Sequence, residues 1–427
     1  MFETKPASAA AELALDCLRA GVDAADPAEA VDGAISIEGS SLRIRDATYD
    51  LDAYDELLVL GGGKAADELA AALEPLLSDR LTGGVVVTNE RTAAPDRVTV
   101  LEGEHPTPAE GSVSGATAVL DAAAAAGERT LVLAVITGGG SALLAAPQKG
   151  LDIDDLRAVT DALLASGASI DEINTVRRPL SRIKGGGLAA AGAPATVVGL
   201  LISDVVGDDP SVIASGPTVP TGTDPDAALE LLDRYEIDVP SVREWLAAAE
   251  ATEAAENRVE NHVVVSGRDA IDAASDVALD RGYTPSVLST RIEGESSEAG
   301  RFHAAIAAEA SDSGDPTEPP AVFLSGGETT VTVTGDGMGG PNQEFALGAA
   351  RALPDGAVVA AIDTDGSDGS TDAAGAIVDS STLPDVAAID EALAANDAYH
   401  LLDRHDALLR CGPTGTNVND LRVVIVP

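Results

Sequence analysis

Basic residues are scarce in this chain, with 26 against 71 acidic ones, for a formal charge of −45. That imbalance excludes a nucleic-acid partner, because binding a polyanion takes a basic stripe that can displace condensed counterions. Cysteine is nearly absent: Cys17 and Cys411 can build neither a disulfide framework nor a cysteine-rich zinc site. No apolar run approaches the roughly 18 residues of a membrane span. The opening MFETKPASAAAELALDCLRA carries acidic residues where a secretory signal is basic and then apolar. The expectation is a soluble, cytoplasmic protein with no membrane partner.

Lysine is the scarcest of the charged residues. Only Lys5, Lys64, Lys149 and Lys184 occur, and two of these four adjoin triple glycines, in GGGKA and IKGGG. Acid on this scale often signals disorder, yet 45% of the residues are hydrophobic and strand-like runs recur. The acid therefore coats a folded protein. Such a surface is similar to that of halophilic archaeal proteins, where salt screens the mutual repulsion of carboxylates.

At 427 residues the chain exceeds the roughly 250 to 300 at which single cores stop growing, so two domains are expected. Runs rich in Val, Ile and Leu lie at Leu57–Leu60, Val85–Val87, Leu131–Ile136, Thr196–Ile202, Val263–Val265, Ala321–Leu324, Val358–Ile362 and Val423–Val426. Most are continuous, which suits strands buried on both faces, and alanine-rich stretches of helical spacing separate them. The fold class is α/β, with two three-layer α/β/α domains built on mostly parallel or mixed sheets. The charged stretch AEATEAAENRVEN, Ala249–Asn261, marks the boundary, giving domains 1–250 and 251–427.

Several glycine loops carry candidate chemistry. In LLVLGGGKAADELA, Gly62 and Gly63 allow a ligand close to the backbone, the following helix offers N–H groups, and Lys64 supplies a point charge. It is not a Walker A loop, since Ala65 stands where that motif needs Ser or Thr. VITGGGSALL repeats the arrangement, with Ser141 as a ligand contact or a helix cap. INTVRRPLSRIKGGGLA gathers Arg177, Arg178, Arg182 and Lys184, cations that need either structural carboxylates or an anionic ligand. His105 in GEHPTP is catalytic or a turn residue. ISDVVGDDPSVIASGPT places Asp204, Asp208 and Asp209 after a strand, where magnesium brought by phosphates needs only one or two carboxylates. Finally GDGMGG, Gly335–Gly340, is a formal GxGxxG, with Asp363 at the end of the next strand, as in dinucleotide-binding folds.

Taken in order, GGGKA, GEHPTP, TGGGSALL, INTVRRPLSRIKGGGLA, ISDVVGDDPSVIASGPT, GGETTVTVTGDGMGGPNQEFAL, DTDGSDGSTDAAG and GPTGTNVNDL resemble the class II glycerate kinases, whose C-terminal half is the MOFRL domain. The resemblance implies a Rossmann-like N-terminal domain, an active site in the inter-domain cleft, and transfer of the γ-phosphoryl group of ATP to D-glycerate with Mg²⁺, giving 2-phosphoglycerate and ADP. It implies catalytic roles for Lys64, Arg177 and Asp204, and substrate contacts at Gly62, Gly63, His105, Ser141 and Arg178. It further implies nucleotide contacts at Gly326, Gly327, Glu328, Asn342, Gln343, Asp365, Thr416 and Asn417, with Asp208 and Asp209 on the metal. Two positions depart from the family pattern: Pro341 replaces the arginine of GGRNQE, and Pro179 replaces the histidine of VRKHLS. A nicotinamide-dependent hydroxypyruvate reductase and a non-catalytic ligand-binding homologue are the alternatives. A homodimer is compatible with the sequence.

Overall fold

The continuous apolar runs become strands covered on both faces. A computed structural model describes residues 1–4, 6–254, 259–383 and 385–427. Its chain divides into two units, Ala30–Val264, and Met1–Glu29 together with Val265–Pro427.

In the unit Ala30–Val264, a small antiparallel meander of β1 (Ile35–Glu38), β2 (Ser41–Ile44) and β3 (Ala47–Asp50) precedes the main sheet. That sheet contains β4 (Glu56–Gly62), β5 (Gly83–Thr88), β6 (Val98–Glu102), β7 (Thr130–Ile136), β8 (Thr196–Ile202) and β9 (Val259–Val265), in the order β6-β5-β4-β7-β8-β9. The pairs β4–β5, β5–β6, β4–β7 and β7–β8 are parallel. Every residue of β7 is buried, as a central strand between two helical layers requires. Helix Ala66–Leu77 packs on β4, β5 and β7, while helix Glu110–Ala124 contributes Ala116, Val119 and Ala123 to a core shared with Leu60, Val132, Ala134 and Ile136. The chain goes outward from β4 to β6 and then returns to start again at β7. The junction of β4 and β7 is therefore the topological switch point, where open α/β sheets hold ligands beyond the carboxyl ends of their strands. A second, all-helical core unites Ile153–Ala165, Ile170–Arg177, Pro225–Arg234 and Pro240–Ala248 through Val159, Leu163, Val176, Leu232 and Leu246.

The other unit is built on β10 (Thr284–Ile292), β11 (Ala321–Gly327), β12 (Val358–Asp363), β13 (Gly375–Asp379), β14 (Leu408–Leu409) and β15 (Asp420–Val426), ordered β10-β11-β15-β12-β13-β14. Only the β10–β11 pair is parallel among the described pairings, so this sheet is mixed. Alternation along its strands feeds two helical layers. Phe323, Val359, Ala361, Val424 and Val426 face the helices Ser296–Ser313 and Pro341–Ala350, whereas Val322, Leu324, Val358, Ala360, Val423 and Ile425 face Ala9–Ala24 and Gly267–Asp280.

The division of the chain differs from a cut at 250/251. Helix Ala9–Ala24, capped by the Ser8 side chain, buries Leu13, Leu15, Leu18 and Val22 against β15 and its neighbours, more than 390 positions away at Thr416 alone, whose hydroxyl donates to the Ala25 carbonyl. The charged stretch 249–261 does not separate the units, because its end enters β9 of the first sheet; residues 255–258 of it lie outside the described residues.

Candidate active site

The glycine loops after β4 and β7 meet at the switch point. The Lys64 amide donates to the Gly138 carbonyl at 2.8 Å, and the Ala65 amide donates to Thr137 Oγ1 at 3.2 Å. Gly63 sits at φ +150°, and a Cβ there would lie 2.0 Å from Thr137 Oγ1, so only glycine permits this approach. Gly139 has φ +76°, and a Cβ on it would stand 3.0 Å from His105 Cδ2, 3.1 Å from His105 Nε2 and 3.1 Å from Lys64 Cγ. One residue earlier, a Cβ on Gly138 would fall 2.3 Å from Asp204 Oδ2. Two glycines thus let a lysine, a histidine and an aspartate, carried by three different loops, converge over bare backbone.

The electrostatics follow from that convergence. Burial holds the His105 imidazole below its usual range, and the Lys64 charge pushes it the same way, which favours the neutral ring. Burial raises Asp204, opposed by a backbone hydrogen bond and by the attraction of Lys64. A carboxyl with a raised pKa beside a cation is a competent proton acceptor.

Ser141 lies in the short helix Gly140–Leu143, whose cap is Gly139, so it does not cap the helix; its hydroxyl shares a 2.6 Å hydrogen bond with that of Ser215. Ser215 belongs to a run of three left-handed residues, Ala214 (φ 51°), Ser215 (φ 64°) and Gly216 (φ 69°). Strain of this kind persists only where the surroundings impose it, and here the carbonyls of Ser215 and Gly216 accept from Gly185 and Gly186.

The four cations of the RRPLSRIK segment separate. Arg177 and Lys184 line a cavity of about 360 Å³ together with His105, Ser141, Leu156 and Thr160. Arg178 donates from Nη2 to the Ser211 carbonyl at 2.9 Å, bracing the turn that follows Asp209, while its buried Nε is left without a partner among the described residues. Arg182 is exposed and donates to the Pro147 carbonyl. This support of the loop stands beside the substrate contact expected of Arg178. Asp209 caps the same turn by accepting from the Ser211 amide, and Asp208 has φ 59°. Among the described residues no three His, Cys, Asp or Glu side chains gather as a metal cage.

In the second unit, several residues expected to contact the nucleotide make hydrogen bonds within the protein. Asn342 and Gln343 open helix Pro341–Ala350, and both are fully buried. Their amides donate to the two oxygens of Asp368 at 2.9 Å each, so a carboxylate of the protein fills the anion position at this helix end. The Asn342 side chain also reaches Asp420 at 2.6 Å. Asp420 pairs with the wholly buried Arg422, which donates to Thr329 at 2.8 Å and stands over the Phe345 ring at 5.1 Å. Burial and neighbouring acids raise Asp368 to about 7 and Asp363 to about 8. Gly326 and Gly327 are buried at the end of β11, and Thr416 is buried, whereas Glu328 is exposed and Asp365 and Asn417 are partly so. Pro341 fits its place, since the first helical position needs no N–H donor.

The GDGMGG loop lacks the strand that a dinucleotide fingerprint requires. Its glycines lie in irregular chain eight to thirteen positions after β11 ends at Gly327, with only an isolated Glu295–Thr330 bridge between. Gly335 and Gly337 pack on Ala395 and Asp397, and Asp363 accepts from the Asp365 amide. The motif is formal. Ser215, bonded to Ser141, is the residue that the sequence left without a role and that nothing local marked, whereas Lys184 was legible there only as one of four clustered cations.

A doubly wound α/β unit with a cation, an imidazole and a carboxyl at its switch point has the architecture of an α/β enzyme. Comparison with known proteins specifies the family. Residues 13–247 match the family described as Domain of unknown function (DUF4147), and residues 321–420 match the MOFRL family. The chain is 39% identical over 431 residues to the glycerate 2-kinase of Pyrococcus horikoshii, covering 97% of each. It is 40% identical to the D-glycerate 2-kinase of Thermotoga maritima, covering 87% of this chain and 91% of that one. A protein of Agrobacterium vitis, provisionally named a hydroxypyruvate reductase, is 45% identical over 86% of this chain and 87% of its own length. The solved glycerate kinase of Thermotoga maritima superposes with a TM-score of 0.87 at 37% identity, covering 97% of this chain and 99% of that one. The chain belongs to this glycerate kinase family, in which a DUF4147 domain precedes a MOFRL domain. No helix among the described residues is long and apolar enough to cross a membrane.

Proposed function

We propose that this protein is a glycerate 2-kinase, moving the γ-phosphoryl group of ATP to the 2-hydroxyl of D-glycerate. The observation that carries the reading is the convergence of Lys64, His105 and Asp204 around Gly138 and Gly139 at the switch point. Phosphoryl transfer asks a protein mainly for positioning and for cations where charge develops. The acceptor oxygen forms a bond to the γ-phosphorus as the bond to the bridging oxygen breaks, ADP leaves with that electron pair, and the hydroxyl proton passes to Asp204. Lys64 neutralises charge on the transferring group. His105, held neutral, donates or accepts a hydrogen bond without adding charge.

Mg²⁺ suits the same loop, because Asp208 and Asp209 follow β8 within seven residues and such an ion needs only one or two protein carboxylates besides phosphate oxygens. When bound, it would neutralise the phosphates. For the nucleotide, Glu328, Asp365 and Asn417 keep contact with solvent and stay in the reading, while Asn342, Gln343 and Thr416 act as supports.

A coupled assay in KCl tests this. ATP consumption that depends on D-glycerate, with ³¹P NMR showing phosphate on O2, is the expected result. NADH oxidation with hydroxypyruvate and no glycerate-dependent ATP loss would overturn it.

A further inference from the structure

Lys184 is 7% exposed and points its ammonium at the Ser141 carbonyl, 2.7 Å away. Arg177, on the neighbouring wall, donates to Thr160 Oγ1 at 3.3 Å. Among the described residues neither cation forms an ion pair, although acidic residues outnumber basic ones almost threefold in this chain. Two like charges taken largely out of water are costly and each makes the other worse; Asp161, on the same cavity, offsets Arg177 only in part, because burial still holds that guanidinium below its usual range. Both face the cavity of about 360 Å³, whose other walls include Leu156, Val159 and Leu180. A water occupies about 30 Å³ of liquid, so the space accepts an organic molecule and not merely an ion.

We propose that Lys184 and Arg177 form a two-cation clamp for one oxyanion of a bound substrate, a carboxylate or a phosphate, in this cavity. A carbonyl anchor alone would need one neutral donor, whereas a second cation lines this same cavity. Lys184, Arg177 and Arg157 face this cavity against the single carboxylate Asp161, and an acid or a nucleotide brings the further negative charge. The identity of the ligands rests on the kinase reading, but the clamp does not.

The groups facing Lys184 are His105 from the loop after β6, Arg157 and Asp161 from helix Ile153–Ala165, and Arg177 from helix Ile170–Arg177. Burial, and then the charge of Arg177, push Lys184 down to about 7. At pH 8 the empty pocket therefore holds mostly neutral lysine, and an arriving oxyanion draws a proton onto it.

The full-length protein is titrated calorimetrically at pH 8 with D-glycerate and separately with ADP, each in two buffers of different ionisation enthalpy, and the titrations are repeated with Lys184→Met. The expected result is that one ligand binds wild type with uptake of up to about one proton. In the variant that ligand loses about tenfold or more in affinity, together with the uptake. Glycerate showing the loss identifies a carboxylate clamp; ADP showing it identifies a phosphate clamp. Unchanged affinity for both ligands in a variant that melts like wild type overturns the proposal. Should that variant not fold, Arg177→Met is titrated in the same way, and unchanged affinity for both ligands in it overturns the proposal equally. Wild type that binds with uptake but never phosphorylates glycerate overturns the kinase reading and leaves the clamp standing.

Discussion

Replacing Gly139 by alanine inserts one methyl group between the His105 and Lys64 side chains and changes no charge. At φ +76° the new Cβ would lie 3.0 Å from the His105 ring and 3.1 Å from Lys64 Cγ, inside ordinary van der Waals separation from both. Each side chain must give way by a few tenths of an ångström or more, in different directions. The left-handed backbone adds about 1–2 kcal/mol of strain for any residue with a Cβ. For a unit spanning Ala30–Val264, that lowers the melting midpoint by about 2 to 8 °C, leaving the protein folded at assay temperature. The larger effect falls on turnover, because a displacement of about 1 Å at a reacting centre can cost about 100-fold. Gly139→Ala should therefore melt slightly early, keep its far-UV circular dichroism, and lose about 10- to 100-fold in glycerate-dependent ATP turnover. Turnover within about twofold of wild type, in a protein whose midpoint has dropped as stated, would overturn the assignment of His105 and Lys64 to the reacting centre.

Lys64→Met should cost about 100- to 1,000-fold in kcat with little change in melting, since it removes a cation aimed at developing charge; the coupled assay reads this. In the second unit, His303 is 1% exposed, and burial holds it down at about 4. The unfolded chain binds that proton more tightly between pH 6.5 and 4, so stability contributed by neutral His303 is present above 6.5 and is lost as pH falls through that window. Denaturant titrations should show wild type losing about 3 kcal/mol relative to His303→Gln between those pH values. Asp368→Ala should destabilise by about 2 to 5 kcal/mol at pH 8, because the buried amides of Asn342 and Gln343 lose their acceptor; urea unfolding measures it, and a cost near zero would contradict the capping role.

Much of the fold was legible because both-face burial leaves a plain trace. All the apolar runs singled out in the sequence lie within strands, from Leu57–Leu60 in β4 to Val423–Val426 in β15. Less visible were β1 to β3, β6, β10, β13 and β14, whose residues are shorter runs, edge positions or half-exposed faces. The direction of strands was hidden as well. Nothing in VVIV states that β15 runs antiparallel between β11 and β12, since that depends on partners more than 50 residues away. Likewise the helix Ala9–Ala24 has a clear amphipathic pattern, but its partner surface is formed only when the far end of the chain folds.

The amino-acid sequence by itself determined that this is an acidic α/β protein with glycine loops at strand ends and a lysine in the first of them. Backbone sterics and side-chain chemistry are local, so GGGKA announces a close approach and a charge wherever it is placed. Tertiary structure alone decided which charged groups share a space. Arg177 and Lys184 face one cavity while Arg178, next in sequence to the first, braces a loop; Asn342 and Gln343 serve Asp368. The physical reason is that a counter-charge is found across space and not along the chain. A cation's role is set by the partner that non-local packing brings, or leaves for a ligand to supply.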